Sequence, residues 1–284
     1  MSHIPGYTIR TMTRQEIDLA VDWAAAEGWN PGLEDAGCFY HADPEGFLVG
    51  LAGEEPVACI SVVRYGEWFG FLGFYIVKPE YRGLGLGHEI WKAGLQRLEG
   101  RVVGLDGVVA QQENYRKSGF TLAYRHIRYM GFSRPARENL KDVVPLSSTP
   151  FEKLADYDRK FFPDDRKSFL KCWTSREGSR AFAIHQNGKL AGYGIIRPCR
   201  TGFKIGPLFA DTPELAETLF SALEGSAPEG SQIFLDIPEV NPAALELVQR
   251  HRMNVVFETA RMYQGPAPRL PVERIFGVTT FELG

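Results

Sequence analysis

Apolar residues in the first half of the chain recur with the period of an α-helix and of β-strands in turn. The opening helix is the best marked, because Thr13 and Glu16 form a capping box and Gly28 follows the last apolar turn. Two β-rich runs then flank a polar turn at 53–56, which is the pattern of a hairpin. The predicted elements are a strand at 7–11, a helix at 13–28, a hairpin at 47–65, a strand at 69–77, a helix ending at 98, a strand at 101–106, a short helix ending before 119 and a strand at 121–132.

The segment 133–150 interrupts this pattern, since it is polar, contains prolines and has no sustained period. We interpret it as a linker between a first domain at 1–132 and a second domain at 151–284. After it the same order of elements returns: helices, a hairpin with an Asn-Gly turn, a third strand, a helix capped by Asp211 or Thr212, a strand, a helix and a strand. This repeated order predicts two copies of one α/β fold.

The composition agrees with two globular domains. The chain has 284 residues, of which 44% are hydrophobic and 24% are charged, which is enough to bury a core in each half. The formal net charge is −3 and no basic stripe is present, so no nucleic-acid partner is expected. No apolar run is long enough to span a membrane, and the first ten residues lack the apolar core of a secretory signal. We therefore expect a cytoplasmic protein with no membrane partner.

Cysteine and histidine spacing offers no metal or redox motif. The four cysteines, Cys38, Cys59, Cys172 and Cys199, form no C-x-x-C pair, so reduced and mostly buried thiols are expected. The six histidines show no H-E-x-x-H or comparable spacing, so no metal is expected.

The run "YRGLGLGHEI" lies between a predicted strand and a predicted helix. A helix N-terminus exposes unpaired amides, and glycines let a phosphate approach them. Arg82 adds a permanent charge at the start of the loop. The alternatives are an ordinary glycine-rich turn and a dinucleotide fingerprint. The spacing Gly83, Gly85, Gly87 departs from G-x-G-x-x-G, because His88 occupies the last position, and the preceding strands form hairpins instead of a parallel unit.

Two motifs resemble those of the GNAT superfamily of N-acetyltransferases. "IVKPEYRGLGLG" is similar to its acyl-coenzyme A signature R/Q-x-x-G-x-G/A, with Arg82, Gly85 and Gly87 at the matching positions. "NYRKSGF" is similar to the Y-x-x-x-G-F segment further along, with Tyr115, Gly119 and Phe120 in place. The second half resembles a degenerate copy, because Asp211, Thr212 and Pro213 replace the arginine and glycines.

The resemblance implies two GNAT-like domains, each a mixed, mostly antiparallel sheet flanked by helices, with one working half. It implies acetyl-CoA as co-substrate and no metal. The second copy is expected to act as a wall or lid of the substrate site. The coenzyme-binding residues implied are Ile76, Val77, Arg82, Gly83, Leu84, Gly85, Leu86, Gly87 and His88.

The implied reaction is direct attack of a small-molecule primary amine on the thioester. Tyr115 matches the family's general acid, since a phenol can protonate a coenzyme A thiolate of similar basicity. A backbone amide of Ile76 or Val77, on the strand before the loop, is expected to stabilise the oxyanion. The strand at 69–77 lacks the carboxylate that many relatives use as a base. Asp106 is the candidate base, acting through a water chain, and the alternative is a turn residue before a glycine.

Candidate acceptor residues lie in two segments. The aromatic and acidic segment 28–46 could receive a cationic amine, because ring faces and carboxylates attract ammonium. Arg197, in the second segment, could bind a substrate carboxylate, and the alternative for it is a surface salt bridge. The alternative for the first segment is a packed loop. Besides acetyl transfer to a small amine, two other functions stay open: a non-catalytic module that senses acyl-CoA or binds a partner, and a transferase acting on protein N-termini or lysines. The candidate substrate residues are Trp29, Asp35, Tyr40, Tyr75 and Arg197.

Overall fold

A computed structural model of the protein describes residues 6–135 and 142–284. The strands are β1 (Tyr7–Thr11), β2 (Phe47–Ala52), β3 (Glu55–Tyr65), β4 (Phe69–Val77), β5 (Val102–Val108), β6 (Phe120–Phe132), β7 (Val143–Pro145), β8 (Arg180–Gln186), β9 (Lys189–Pro198), β10 (Phe203–Ala210), β11 (Gln232–Pro238), β12 (Asn254–Gln264) and β13 (Ile275–Gly277). The helices are α1 (Arg14–Ala26), α2 (Asp35–Ala42), α3 (Leu86–Arg97), α4 (Gln112–Lys117), α5 (Phe151–Asp158), α6 (Lys167–Trp173), α7 (Pro213–Glu224) and α8 (Pro242–Arg250).

The main predicted helices and strands of both halves are confirmed, and so are their end signals. Thr13 and Glu16 form the capping box of α1. Thr212 caps α7 through the amide of Leu215, and Asn241 caps α8. Three elements were not predicted: α2 forms where a loop was a possible interpretation, the short strand β7 lies within the predicted linker, and the short strand β13 follows the last predicted strand.

All the strands of the described residues join one continuous mixed sheet. Its order is β1-β2-β3-β4-β5-β12-β6-β11-β10-β9-β8-β7, with β13 paired to β10. Most neighbours are antiparallel, and the parallel pairs are β4 with β5 and β10 with β11. The α/β architecture, with a mostly antiparallel sheet flanked by helices, is therefore confirmed.

The two halves exchange their last long strands. Strand β12, from the second half, lies between β5 and β6, with Arg261 opposite Asp106 on one side and Thr259 opposite His126 on the other. Strand β6, from the first half, pairs with β12 and β11 and has no pairing with β5. The predicted boundary in the chain therefore does not divide the sheet into two self-contained copies.

The sheet separates three buried clusters. On one face, α3 and α4 cover the first half around Ile90 and Trp91, and α7 and α8 cover the second half around Leu219 and Leu247. On the other face a single core continues from α1 and α2 to α5 and α6. This shared core makes the two halves one packing unit, since its members come from both.

The expectation of reduced thiols is wrong for two of the four cysteines. Cys38 in α2 and Cys172 in α6 form a disulfide, with their Cα atoms 5.3 Å apart. The partners are 134 residues apart in sequence, so no local spacing could reveal the pair. Cys59 and Cys199 are free and buried.

None of the helices in the described ranges has the length and apolar character needed to cross a membrane.

The exchanged strands predict that neither half folds alone. When residues 1–138 and 139–284 are produced as separate chains, β5 loses β12 in one and β11 loses β6 in the other, which exposes unpaired strand edges. We expect each chain alone to aggregate and the two together to copurify as a 1:1 complex. Affinity capture followed by size-exclusion chromatography measures this, with the intact chain as control. Cooperative melting of either chain by itself would contradict the interpretation.

Candidate active site

Strands β4 and β5 run side by side and then separate. They pair in parallel from Phe69 with Val102 to Leu72 with Leu105, and the pairing stops there. Just beyond, Phe74 has φ of 46°, a conformation that costs free energy for a bulky side chain, and the register of β4 on β3 shifts at the same place. The resulting bulge turns β4 away from β5 and opens a cleft.

Core packing holds this bulge. The buried ring of Phe74 lies 5.5 Å from the ring of Phe39 and 6.3 Å from that of Phe47. The thiol of Cys59 donates a hydrogen bond to the Phe74 carbonyl at 3.1 Å. Phe74 therefore keeps its unfavourable backbone conformation because its side chain is fixed in the core beneath α1 and α2.

The cleft contains a cavity of about 520 Å³. One end is formed by the glycine loop, the start of α3 and Tyr115, and the other by the diverging strands and residues of the second half. The lining residues are Glu27, Trp29, Leu72, Gly73, Phe74, Tyr75, Ile76, Val77, Tyr81, Arg82, Gly83, Gly85, Gly87, His88, Leu105, Asp106, Gly107, Val108, Gln111, Tyr115, Phe257, Thr259, Phe281 and Glu282.

The three glycines of the loop serve two different purposes. Gly83 and Gly85 have φ of 79° and 86°, and a Cβ on either would meet no atom within 4 Å, so backbone conformation demands glycine there. A Cβ on Gly87 would lie 2.7 Å from the Tyr75 hydroxyl oxygen and 3.0 Å from Cγ2 of Val77. Gly87 is therefore needed for packing of α3 on β4.

The loop leads into α3 as expected for an anion site. Gly85 is the N-cap, and its carbonyl accepts the amides of His88 and Glu89. The amides that come before His88 have no partner within α3, because the first amides of any helix lack one, and they point out of its N-terminal end. Leu84 is exposed and Leu86 is buried, so of these two side chains only Leu84 faces solvent.

Arg82 does not point freely into the loop. Its Nε donates to the Val77 carbonyl at 2.9 Å, and its Nη2 forms an ion pair with Glu27. This arrangement joins the end of α1 to the end of β4 and keeps a cation at the edge of the cavity.

The backbone amides of Ile76 and Val77, the two predicted oxyanion donors, point to opposite edges of β4. The amide of Lys78 donates to the Val57 carbonyl of β3 at 2.9 Å. Successive amides along a strand point to opposite edges, so the Val77 amide faces the cleft while the Ile76 amide faces β3. An interaction of the Ile76 amide with the Cys59 thiol agrees with this. The geometry thus favours Val77 and not Ile76.

Tyr115 lines the cavity. It is 7% exposed, and its ring stacks on Trp91 with centroids 5.5 Å apart. Burial raises the pKa of Tyr115, so its hydroxyl stays protonated and able to donate at neutral pH.

Asp106 also lines the cavity, but its oxygens are already engaged. Arg261 donates to both of them, at 2.9 and 2.5 Å, and His126 Nδ1 lies 2.9 Å from Oδ1. Burial would raise the pKa of Asp106, but the charge and hydrogen bonds of Arg261 and the contact with His126 outweigh it and lower the pKa to about 2. Such a carboxylate is a weak base, so the geometry argues against the expected base role and favours a positioning role.

Of the five candidate substrate residues, the structure places two at the cavity and three elsewhere. Trp29 and Tyr75 line the cavity, whereas Tyr40 packs beside the core. Asp35 and Arg197 pair with each other in the interior, Nε to Oδ1 at 3.1 Å, and Arg176 also contacts Asp35. The expectation that Asp35 and Arg197 bind substrate charges is therefore not supported, because each neutralises the other.

Four lining residues come from the second half of the chain and were not predicted: Phe257, Thr259, Phe281 and Glu282. The first two belong to β12 and the last two to the segment after β13. No local motif marks them, because they reach the cavity only through the exchange of strands. In the described ranges, no group of three or more His, Cys, Asp or Glu side chains is arranged to hold a metal ion.

Two family models match the chain: "Acetyltransferase (GNAT) family" at 14–120 and "Acetyltransferase (GNAT) domain" at 154–277. A holothin acyltransferase of Pseudoalteromonas sp. (strain SANK 73390) is 31% identical over 98% of this chain and 95% of its own length. The uncharacterized N-acetyltransferase YitH of Bacillus subtilis (strain 168) is 27% identical over 64% of each chain. The chain therefore belongs to the GNAT family and is an acyltransferase with two GNAT domains.

Solved structures share this architecture. A putative acetyltransferase from Pyrococcus horikoshii superposes with a TM-score of 0.85 at 26% identity, covering 100% of this chain and 98% of that one. A tandem GNAT protein from the clavulanic acid biosynthesis pathway superposes with a TM-score of 0.62 at 13% identity, covering 92% of this chain and 100% of that one, which shows the same fold.

The Asp106–Arg261 pair predicts a pH-dependent contribution to stability. Asp106→Asn should lower the free energy of unfolding by about 3–5 kcal/mol, because it leaves a buried arginine uncompensated. Asp18→Asn, in the exposed pair with Arg14, should cost less than about 1 kcal/mol and serves as control. A carboxyl whose pKa is lowered on folding stabilises the fold above its unfolded pKa. The difference between wild type and Asp106→Asn should therefore shrink as the pH falls from about 4 to about 2. Urea denaturation at several pH values measures this, and equal losses in the two variants would contradict it.

Proposed function

We propose that the enzyme transfers an acetyl group from acetyl-CoA to a primary amine of a small molecule, with Tyr115 as general acid. The observation that carries the proposal is a single cavity that joins a helix N-terminus suited to phosphates with a buried tyrosine and a closed, aromatic end. Membership of the GNAT family supports the same chemistry.

The glycine loop is the proposed site of the diphosphate of acetyl-CoA. Open space above Gly83 and Gly85 leaves their backbone accessible, and the dipole of the 12-residue helix α3 favours an anion at its N-terminus. Arg82, at the edge of the cavity, adds a positive charge beside it.

The thioester would then extend along β4 into the cleft. The amide of Val77 faces the cleft and would donate to the oxygen that becomes negative in the tetrahedral intermediate. The Tyr115 hydroxyl would protonate the departing thiolate as the carbon–sulfur bond breaks. Each role rests on a group that lines the cavity.

The proposed acceptor end is largely aromatic and includes residues of the second half of the chain. Trp29, Phe257 and Phe281 are among its lining residues, which suits a small amine with an apolar body. Enclosure by β12 and by the segment after β13 disfavours a bulky protein acceptor. The similarity to a holothin acyltransferase supports acyl transfer as the reaction here too.

Loss of the loop's conformation should weaken binding of acetyl-CoA. Gly85→Ala forces a side chain into left-handed backbone at the N-cap of α3, which displaces the amides that face the phosphates. We expect the dissociation constant to rise at least ~10-fold, a change of ~1.4 kcal/mol. Isothermal titration calorimetry measures it.

Gly100→Ala is the matched control for this variant, because Gly100 has φ of 81°, has open space around its Cβ position and does not line the cavity. It should cost similar stability without loss of affinity. If both variants bind acetyl-CoA like the wild type, the loop is not the site.

Removal of the Tyr115 hydroxyl should reduce turnover without reducing binding. Tyr115→Phe keeps the ring stacked on Trp91 but removes the proton donor, so kcat should fall ~100-fold while the acetyl-CoA dissociation constant is unchanged. Release of free thiol in the presence of an amine panel measures kcat. Tyr40→Phe, outside the cavity, should leave kcat unchanged. An active Tyr115→Phe enzyme would assign the acid elsewhere.

A further inference from the structure

The acceptor end of the cavity contains a carboxylate supplied by the second half of the chain. Glu282 is 4% exposed and lines the cavity. Its backbone lies against the first half: Ser61 Oγ donates to the Glu282 carbonyl at 3.5 Å, and a Cβ built on Gly73 would lie 2.1 Å from that carbonyl oxygen. Gly73 directly precedes the bulge at Phe74, so Glu282 lies where β4 turns away from β5.

Three carboxylates line the cavity, and two of them are neutralised. Glu27 pairs with Arg82 at the coenzyme end. Asp106 is held by Arg261 and His126. Within the described part of the chain Glu282 takes part in no ion pair, and no hydrogen bond is donated to its Oε1. It is therefore the lining carboxylate without an ion pair in the described part of the chain.

The surroundings orient this carboxylate. The Thr280 hydroxyl donates to Oε2 of Glu282 and accepts the Glu282 amide at 3.3 Å, so one oxygen is fixed and the other is left free. Buried cations from three strands act on it electrostatically without pairing with it: Arg128 on β6, Arg197 on β9 and Lys204 on β10. They are partly balanced by Asp236 and Asp35.

We infer that Glu282 is the catalytic base of this enzyme, a role that β4 itself cannot fill because it carries no carboxylate. The inference rests on the proposed amine acetylation. Glu282 touches the acceptor end, opposite the helix end proposed for the phosphates, so an amine between them would have the thioester on one side and the carboxylate on the other.

The proton and electron pairs balance as follows. Glu282 takes one proton from the ammonium group and passes it to solvent. The freed lone pair attacks the thioester carbon, and the nitrogen–carbon bond of the tetrahedral intermediate forms. The carbon–sulfur bond then breaks, its electron pair leaves with sulfur, and the thiolate takes the Tyr115 proton. The excess proton on nitrogen returns Tyr115 to its starting state through solvent, so the products are an amide, a thiol and one proton released to solvent.

The test compares two nucleophiles in wild type and in Glu282→Gln. One is 2-phenylethylamine, an apolar amine that is mostly protonated at neutral pH, and the other is hydroxylamine, which is mostly uncharged and needs no base. With 2-phenylethylamine, kcat should fall ~100-fold in Glu282→Gln and the loss of activity on the acid side of the pH profile should disappear. The enzyme-dependent rate with hydroxylamine, the acetyl-CoA dissociation constant and the melting temperature should be unchanged.

Two further variants complete the design. Glu282→Asp keeps a carboxylate and should retain intermediate activity. Glu273→Gln removes an exposed carboxylate that lies just before β13 and should behave as wild type. An unchanged kcat in Glu282→Gln, a rise in KM alone, or an equal loss with both nucleophiles would each overturn the base role. Wild-type enzyme that releases thiol with neither nucleophile would instead overturn the proposed function, and this inference with it.

Discussion

The insertion of β12 between β5 and β6 is the constraint on which the rest of the structure depends. Backbone pairing on both edges of β12 joins the halves into one sheet, so the fold of each half requires the other. The same insertion brings Phe257 and Thr259 to the cleft and leads the chain onward to Phe281 and Glu282. The acceptor end of the site is thus a consequence of strand order and not of a motif.

Buried ion pairs mark the same junction. Asp106 with Arg261, Arg128 with Asp236, and Asp35 with Arg197 each join one half of the chain to the other. All of these side chains are almost wholly buried, so an error in strand pairing would leave charges without partners inside the protein. The three ion pairs therefore disfavour other strand registers in the sheet, whether or not they raise the free energy of unfolding.

The second copy of the fold shows how one site can be lost and another gained. At the place that corresponds to the glycine loop, Asp211 pairs with Arg274 and accepts a hydrogen bond from Tyr157 at 2.7 Å. A carboxylate there repels phosphate, so this place lacks the features on which the proposed coenzyme site of the first copy rests. Strand β12 and the segment after β13, both from this second copy, instead line the cavity of the first copy.

Local patterns predicted the helices, the hairpins and the glycine loop, because caps, periodicity and turn residues act over a few positions. Tyr115 was singled out by the resemblance of its motif to that of the GNAT family. The predicted phosphate loop needed no knowledge of the rest of the chain. Only the tertiary structure decided that Asp106 is neutralised by Arg261, that Cys38 joins Cys172, and that Glu282 lies beside Gly73. Each of these contacts joins residues more than a hundred positions apart, and a residue's sequence neighbours carry no information about which distant charge or thiol the sheet will place against it.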